Sequence, residues 1–195
     1  MGSRDSILAQ LKANKPEPIG LPIIDLTIFN ENLDILKEFI KKVEVVGGNV
    51  LEAISNEDVI LQIQKIFPDT KVKFSNLKNT TSFNTISPET IQKPHDLEDL
   101  DVLVLESNLG VAENGAVWLS DKEIPVRVLP FITKHVVIVI SKQNIVSHMH
   151  EAYDKLKDID YAYGLFLSGP SKTADIEQSL VIGAQGALSL TIFLK

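Results

Sequence analysis

The sequence contains no cysteine among its 195 residues. The chain therefore offers no thiolate for a disulfide, a zinc site, a cysteine nucleophile or an iron–sulfur cluster. Any redox chemistry would depend on groups carried by other molecules. The metal-binding patterns HExxH and the carboxylate-rich calcium loop are also missing, so the sequence predicts no metal site.

Basic residues are few, with 19 Lys and Arg against 26 Asp and Glu, and the formal net charge is −7. Because non-specific nucleic-acid binding comes largely from Lys and Arg that neutralise phosphates, nucleic acid is not an expected partner. Apolar runs such as residues 136–140 have the length of a strand, well below the roughly 20 residues of a membrane span. The first 14 residues lack the apolar core of a secretory signal. These features predict a soluble, cytoplasmic protein.

The overall composition, with 44% hydrophobic and 23% charged residues, is that of an ordinary globular protein. We therefore predict a single domain over residues 1–195, with residues 3–15 as an appended N-terminal helix. The apolar residues Ile7, Leu8 and Leu11 share one face of that helix, and prolines follow it.

Apolar periodicity predicts the remaining elements. We expect helices at 31–46, 55–67, 144–156 and 172–182, and strands at 49–54, 72–74, 102–105, 116–119, 126–129, 136–140, 165–167 and 188–194. Residues 75–95 are polar and form an excursion within the domain. Strands of near-continuous Val, Ile and Leu are covered on both faces, which, with interleaved helices, predicts a three-layer α/β fold with a largely parallel sheet.

The segment YGLFLSGPSKTADIEQSLVIGAQGA, residues 163–187, resembles a phosphate-binding loop at first sight. It departs from the P-loop pattern, because the residues between the two glycines are apolar and belong to a strand, and no Lys follows Gly169 directly. The backbone cradle for a nucleotide is therefore missing, and we do not expect ATP or GTP chemistry.

A more general anion site remains compatible with this segment. If a helix begins after the turn, its first N–H groups are unsatisfied and attract carboxylates or phosphates. The alternative is that a hydroxyl here only caps the helix. We predict a substrate or anion site formed by the turn, by the first turn of the helix and by two neighbouring turns: Ser168, Gly169, Pro170, Ser171, Lys172, Thr173 and Asp175, with Asn114, Gly115, Gln185 and Gly186.

Two carboxylates, Glu106 and Glu113, flank the turn at 106–115 and could act as acid and base if the turn brings them together. The alternative is that they cap turns or pair with a Lys. Glu113 is the better catalytic candidate, because it precedes Asn114-Gly115, a pair suited to a tight turn. His135 is interpreted as a structural residue, and His148 and His150 are expected on different faces of a helix.

Two further features have simple structural interpretations. The only Trp, Trp118, is predicted to belong to the core. The acidic run at 95–101 is predicted to be a solvated approach to the strand that begins at Val102.

Four ordered blocks, VAENGAVWL, LPFITKHVVIVI, SGPSKTADIE and VIGAQGALSL, resemble the lactate utilization protein C family, the LUD-domain proteins. The resemblance covers residues 102–195. It departs from the family pattern in the last block, where Gln185 and Ala187 stand at positions that usually hold His and Pro. Gln185 can keep a hydrogen bond but cannot titrate.

The resemblance implies a fold similar to the sugar-phosphate isomerase and CoA-transferase superfamily. It also implies a role in bacterial oxidation of L-lactate to pyruvate, beside partner subunits that carry the iron–sulfur clusters. Since this chain can carry no such cluster, an accessory or substrate-handling subunit is the leading hypothesis. The alternatives are a stand-alone enzyme acting on a phosphorylated or CoA-linked metabolite and a module that only binds iron–sulfur partners. The sequence leaves self-association into a homo-oligomer open.

Overall fold

The structure is a computed structural model that describes residues 2–17, 19–20, 25–29, 33–174 and 180–195. It divides into two compact units, Met1–Asn32 and Leu33–Lys195. The first unit contains helix α1 (Ser3–Ala13), which lies within the predicted helical range 3–15, and a 3-10 turn at Leu26–Phe29. The Asp5 carboxylate accepts a hydrogen bond from the Gly2 N–H group at 3.3 Å, at the start of α1.

The second unit contains four helices and eleven strands in its described residues. In chain order they are α2 (Ile35–Val45), β1 (Asn49–Glu52), α3 (Asn56–Ile66), β2 (Lys73–Ser75), β3 (Val102–Ser107), β4 (Gly110–Val111), β5 (Ala116–Ser120), α4 (Leu129–Ile132), β6 (His135–Ile140), β7 (Ile145–Val146), α5 (Met149–Leu156), β8 (Gly164–Leu167), β9 (Lys172–Ala174), β10 (Leu180–Ile182) and β11 (Ser189–Leu194). Three 3-10 turns, at Thr81–Phe83, Pro88–Thr90 and Pro94–Leu97, interrupt the polar excursion after β2.

The central sheet has five strands in the order β1-β11-β6-β3-β2, and every pair is parallel. In register, Val136 of β6 stands opposite Leu103 on one side and Leu190 on the other. Strands β3, β6 and β11 are almost wholly buried. Their Val-, Ile- and Leu-rich sequences suit a parallel sheet that is covered on both faces. The predicted α/β class with a largely parallel sheet is confirmed.

Helix α3 covers one face of this sheet, with Val59 and Ile63 packed against Val104, Val137 and Phe193. Helix α2 and a second sheet cover the other face, which gives three layers. The second sheet has the order β7-β4-β5-β8, and β5 pairs antiparallel with both of its neighbours. Helix α5 lies on the outer side of the second sheet, where it joins a smaller apolar cluster containing Leu109, Trp118, Val146, Ala152 and Leu156.

Local signals fix the helices that the sequence predicted well. Helix α2 begins where the Asp34 carboxylate accepts a hydrogen bond from the Lys37 N–H group at 3.2 Å. It ends before Gly47, whose φ of 85° belongs to the left-handed region. Helix α3 begins where Ser55 Oγ accepts from the Asp58 N–H group at 3.1 Å.

Two predicted elements are wrong, and a third begins later than predicted. The strand predicted at 126–129 does not form: residues 126–128 are a bend and turn, and Leu129 begins the short helix α4, with Pro130 in its first turn, where a missing N–H group is tolerated. The helix predicted at 144–156 begins only at Met149, because Ile145 and Val146 pair with β4. The helix predicted at 172–182 is absent from its described ends, which form the antiparallel strands β9 and β10. None of the helices in the described part of the chain has the length and apolar character required to span a bilayer.

Candidate functional site

Two turns of the second unit line one cavity of about 270 Å³. The first turn follows β8 and the second precedes β11. The cavity is lined by residues 130–131, 166–171 and 185–187. It therefore brings together six of the predicted site residues: Ser168, Gly169, Pro170, Ser171, Gln185 and Gly186. We call it the turn cavity.

In the described residues no helix begins at the first turn, the one that follows β8. Lys172 stands opposite Ile182 and Thr173 opposite Val181 in the antiparallel ribbon of β9 and β10. β-Branched residues favour strands when a partner strand is available, and the run at 180–182 finds one in β9. Asp175, the remaining member of the predicted set in this segment, lies outside the described residues, as does Glu177. Our prediction that a helix begins at this turn is therefore wrong. The anion binding that we inferred from that helix stays a prediction.

The polar side chains of the first turn are bonded to backbone carbonyls nearby. Ser168 Oγ donates to the Asn114 carbonyl at 2.8 Å, and Ser171 Oγ donates to the Gln185 carbonyl at 2.7 Å. The Lys172 ammonium donates to the carbonyl of Val46, the residue that ends α2. A cation at the C-terminal end of a helix is favoured by the helix dipole. These bonds fasten the first turn to three other parts of the fold.

Gly169 is required where the first turn meets the end of α2. Its φ is 72°, and a Cβ atom at this position would stand 2.5 Å from the Val46 carbonyl oxygen. Gly115 makes a similar approach, since its φ is 65° and a Cβ atom would stand 2.7 Å from the Val43 backbone nitrogen. The turn at Gly169 and the turn at Gly115 thus both require glycine to pack against α2.

Glu113, the catalytic candidate, is hydrogen-bonded to the start of α5. Its carboxylate accepts a hydrogen bond from the Met149 N–H group at 2.8 Å and lies 3.8 Å from His148 Nδ1. Glu113 does not line the turn cavity. Glu106 lies 3.5 Å from the Lys195 ammonium. Both carboxylates therefore have the capping or pairing contacts of the alternative interpretation, and their use as an acid–base pair is not favoured by this geometry.

The histidines follow their structural interpretation only in part. His135 Nδ1 lies 2.8 Å from Ser189 Oγ, and its ring stacks on Phe67 at a centroid distance of 4.2 Å. Partial burial lowers the pKa of His135. His148 and His150 do not point to different faces, because their rings stack at 5.3 Å. His148 precedes α5, so helical spacing does not govern its direction.

The acidic run at 95–101 is not uniformly solvated. The Asp101 carboxylate is 15% exposed, lies 2.7 Å from the Lys134 ammonium and accepts hydrogen bonds from the N–H groups of Lys71 and Val72 at 2.8 and 3.0 Å. Burial opposes ionisation, but the hydrogen bonds from Lys134, Val72 and Lys71 outweigh it and lower the pKa of Asp101 to about 2. Asp101 thus joins the segments that lead into β2, β3 and β6, at the amino-terminal ends of these strands.

Comparison with known proteins decides the family. The model of the LUD domain matches residues 75–194, which is more than half of the chain. The chain belongs to the LUD domain family. The match includes strands β3, β6 and β11 of the central sheet, and all residues that line the turn cavity.

Curated relatives of this LUD domain are named "Lactate utilization protein C". The protein from Oceanobacillus iheyensis is 31% identical over 101 residues, which cover 48% of this chain and 43% of the relative. The protein from Bacillus pumilus is 33% identical over 97 residues, which cover 47% of this chain and 40% of the relative. The matched part of the chain thus spans less than half the length of these relatives.

A solved structure agrees with the fold. The crystal structure of a DUF162 family protein from Deinococcus radiodurans superposes with a TM-score of 0.64 and covers 83% of this chain and 96% of that chain. The two sequences are 16% identical, so the likeness concerns the fold alone.

Gln185 and Ala187 contact the first turn through their backbones. Both residues contribute backbone carbonyls to the first turn: Gln185 accepts from Ser171 Oγ, and Ala187 accepts from the Ser171 N–H group at 2.9 Å. Neither bond depends on the side chain. The Gln185 side chain is exposed beside the turn cavity.

A second cavity, of about 460 Å³, lies between β5 and α5 of the LUD domain. Its wall includes Trp118, which we had interpreted only as core, and its rim includes Lys122 and Lys155. Trp118 is indeed buried and packs edge-on against Tyr161. The sequence held no signal for this cavity, because its lining comes from segments brought together only by the packing of α5 on the second sheet.

Proposed function

We propose that this LUD domain takes part in lactate utilization as an accessory or substrate-handling component. The observation that carries the proposal is the shared family, together with relatives named for lactate utilization at 31 to 33% identity over about half of the chain. Because this sequence has no cysteine, iron–sulfur clusters of such a system would reside in partner subunits.

The ligand proposed for the turn cavity is a small carboxylate such as lactate or pyruvate. At about 270 Å³ the cavity is smaller than the roughly 300 to 1,000 Å³ typical of drug-sized ligands. The Gln185 amide, which can donate to a carboxylate, borders it, while the Ser168 and Ser171 hydroxyls already donate to backbone carbonyls. Positive charge lies close by, since the Lys172 ammonium binds the same Val46 carbonyl that the Gly169 backbone approaches.

Binding is a better proposal for this cavity than acid–base catalysis. The residues that line it in the described part of the chain include no carboxylate, imidazole or amine. General acid–base catalysis needs a titratable group within hydrogen-bond reach of the substrate. Glu113, the residue we had considered for that role, is bonded to the start of α5 instead. These observations favour substrate handling over a stand-alone enzyme.

A role in holding partner subunits is supported by exposed apolar residues around the second turn and β10. Phe131, Val181, Ile182 and Leu188 are 44 to 50% exposed. Exposed apolar side chains that lie close together are typical of interaction sites. A pull-down with Val181→Glu and Ile182→Glu tests this role. Cluster-bearing proteins recovered by the native chain and lost by the variants would support it, and recovery of none by either chain would contradict it.

Deletion of the gene in its native host tests the main proposal. We expect slower growth and lower consumption on L-lactate, unchanged growth on pyruvate, and recovery when the native gene is restored. Unchanged lactate consumption after deletion would overturn the proposed function.

Thermal shifts with L-lactate and pyruvate test the ligand separately. A ligand at 100 times its Kd stabilises the native state by about 2.7 kcal/mol, which raises Tm by roughly 5 to 10 °C for a chain of this size. Gln185→Ala should reduce the shift, and Gln92→Ala, an exposed glutamine outside the cavity, should leave it intact. If neither acid moves Tm, the turn cavity is not the site of a small carboxylate.

A further inference from the structure

The cavity between β5 and α5 combines an apolar wall with a charged rim. Leu109, Trp118, Leu156 and Ile159 supply the wall. Trp118 and Leu156 are 9% and 3% exposed, so the wall is continuous with a packed cluster. At about 460 Å³ the cavity falls within the range of roughly 300 to 1,000 Å³ in which small-molecule sites are found. We call it the Trp118 cavity.

Two lysines give the rim of the Trp118 cavity positive charge. In the part of the chain that the structure describes, the ammonium groups of Lys122 and Lys155 form no ion pair. These two lysines come from different segments, the turn after β5 and the last turn of α5. Their positive charges contrast with the formal net charge of the protein, which is −7.

The carboxylate at the rim is already bound. Glu123 Oε2 accepts hydrogen bonds from the Ser120 N–H group at 2.8 Å and from Ser120 Oγ at 2.6 Å. Its other oxygen accepts from the Asn108 amide at 3.4 Å. Glu123 is thus held by the turn that ends β5, and the two lysines leave the rim with a formal excess of positive charge.

We propose that the Trp118 cavity binds a small amphipathic carboxylic acid, with its aliphatic or aromatic body against Trp118 and its carboxylate between Lys122 and Lys155. An apolar body gains free energy when it leaves water for the wall, and an anion is preferred because it meets two cations at the rim. Lactate itself is too short and too polar to use the wall. The site does not depend on the proposed role in lactate utilization.

Trp118 is the only tryptophan of the chain, so its fluorescence reports directly on the cavity. We expect octanoate to change the emission saturably. Octan-1-ol, which has the same chain without the charge, should bind at least about tenfold more weakly, because hydrogen bonds to charged groups contribute roughly 1.5 to 3 kcal/mol. Equal affinity for octanoate and octan-1-ol, or a signal that does not saturate with octanoate, would overturn the proposal.

Two sets of variants localise the site. The double variant Lys122→Gln with Lys155→Gln should weaken the affinity for octanoate about tenfold or more. Lys157→Gln is the control, because Lys157 follows α5 and pairs with Asp154, and it should change the affinity by less than about twofold. Ile159→Glu places a negative charge in the apolar wall and should abolish octanoate binding. Ile66→Glu on α3 is its control, because the two isoleucines are 44% and 43% exposed.

Far-UV circular dichroism and Tm confirm that each variant is folded. Since Lys122, Lys155 and Ile159 are exposed, these variants should keep the native fold. Octanoate binding that survives both Ile159→Glu and the double lysine variant would place the ligand elsewhere and overturn the assignment.

Discussion

Replacing Asp101 with Asn should destabilise the LUD domain in a pH-dependent way. The pKa of this carboxyl falls from an ordinary value of 3.8 to about 2. At about 1.36 kcal/mol per pKa unit, that difference corresponds to about 2.4 kcal/mol of stability at neutral pH. The Lys134 side chain is 50% exposed, so solvent screening reduces the value, and we expect a loss of about 1 to 2 kcal/mol.

The direction of the pH dependence follows from the lowered pKa of Asp101. The carboxylate stabilises the fold fully above the unfolded-state pKa, near 4, and its contribution is lost as the pH falls through about 2. At pH 3 about half of the contribution remains. Urea denaturation of the native chain and Asp101→Asn should therefore give midpoints that differ most at pH 7 and approach each other between pH 4 and pH 2.

Asp69→Asn is the matched control for this experiment. Asp69 lies beside the same surface cavity as Asp101 and Lys134, and it holds no backbone N–H group within the described residues. Its substitution should change the unfolding free energy by less than about 0.5 kcal/mol. A difference between the native chain and Asp101→Asn that stays constant from pH 7 to pH 3 would refute the role assigned to the ionised carboxylate.

Two further substitutions test the turns. Gly169→Ala should lower the free energy of unfolding by about 1 to 3 kcal/mol in chemical denaturation, because φ is 72° and the new Cβ atom would meet the Val46 carbonyl. Gly20→Ala is the control and should lower it little, because a Cβ atom there would have nothing within 4 Å. Equal effects at the two glycines would contradict the close approach at Gly169. Glu113→Gln should cost about 0.3 to 1 kcal/mol, because the charge that accepts from the Met149 N–H group at the start of α5 is lost. A Glu113→Gln variant with native stability and reduced lactate consumption would instead support a chemical role for Glu113.

The sequence alone predicted the central sheet and the helices that flank its first strand. Residues 102–105 and 136–140 are apolar along their whole length, so burial on both faces could be predicted without knowing their neighbours. Helices α2 and α3 carry caps and a regular apolar face within one short stretch of sequence. These features are local, and the same local interactions are present in the folded protein.

Tertiary pairing decided the segments that the sequence predicted wrongly. Residues 145–146 fit a helical pattern, but they form β7 because β4 offers them a partner. Residues 172–174 and 180–182 likewise form β9 and β10, so in the described residues the turn after β8 leads into a strand and not into the predicted helix. A strand gains its backbone hydrogen bonds from a segment that can be distant in sequence, and a local pattern cannot show whether that partner is in reach.

The two cavities show the same division. The glycines at 169 and 186 mark turns in the sequence, but only the packing of these turns against each other and beside α4 forms a cavity. Lys122 and Lys155 are unremarkable surface residues in the sequence, and they flank Trp118 only because α5 packs on the second sheet. The sequence thus determined the strands, turns and buried faces whose signals are local. The tertiary structure decided which side chains meet, because burial and strand pairing depend on partners far along the chain.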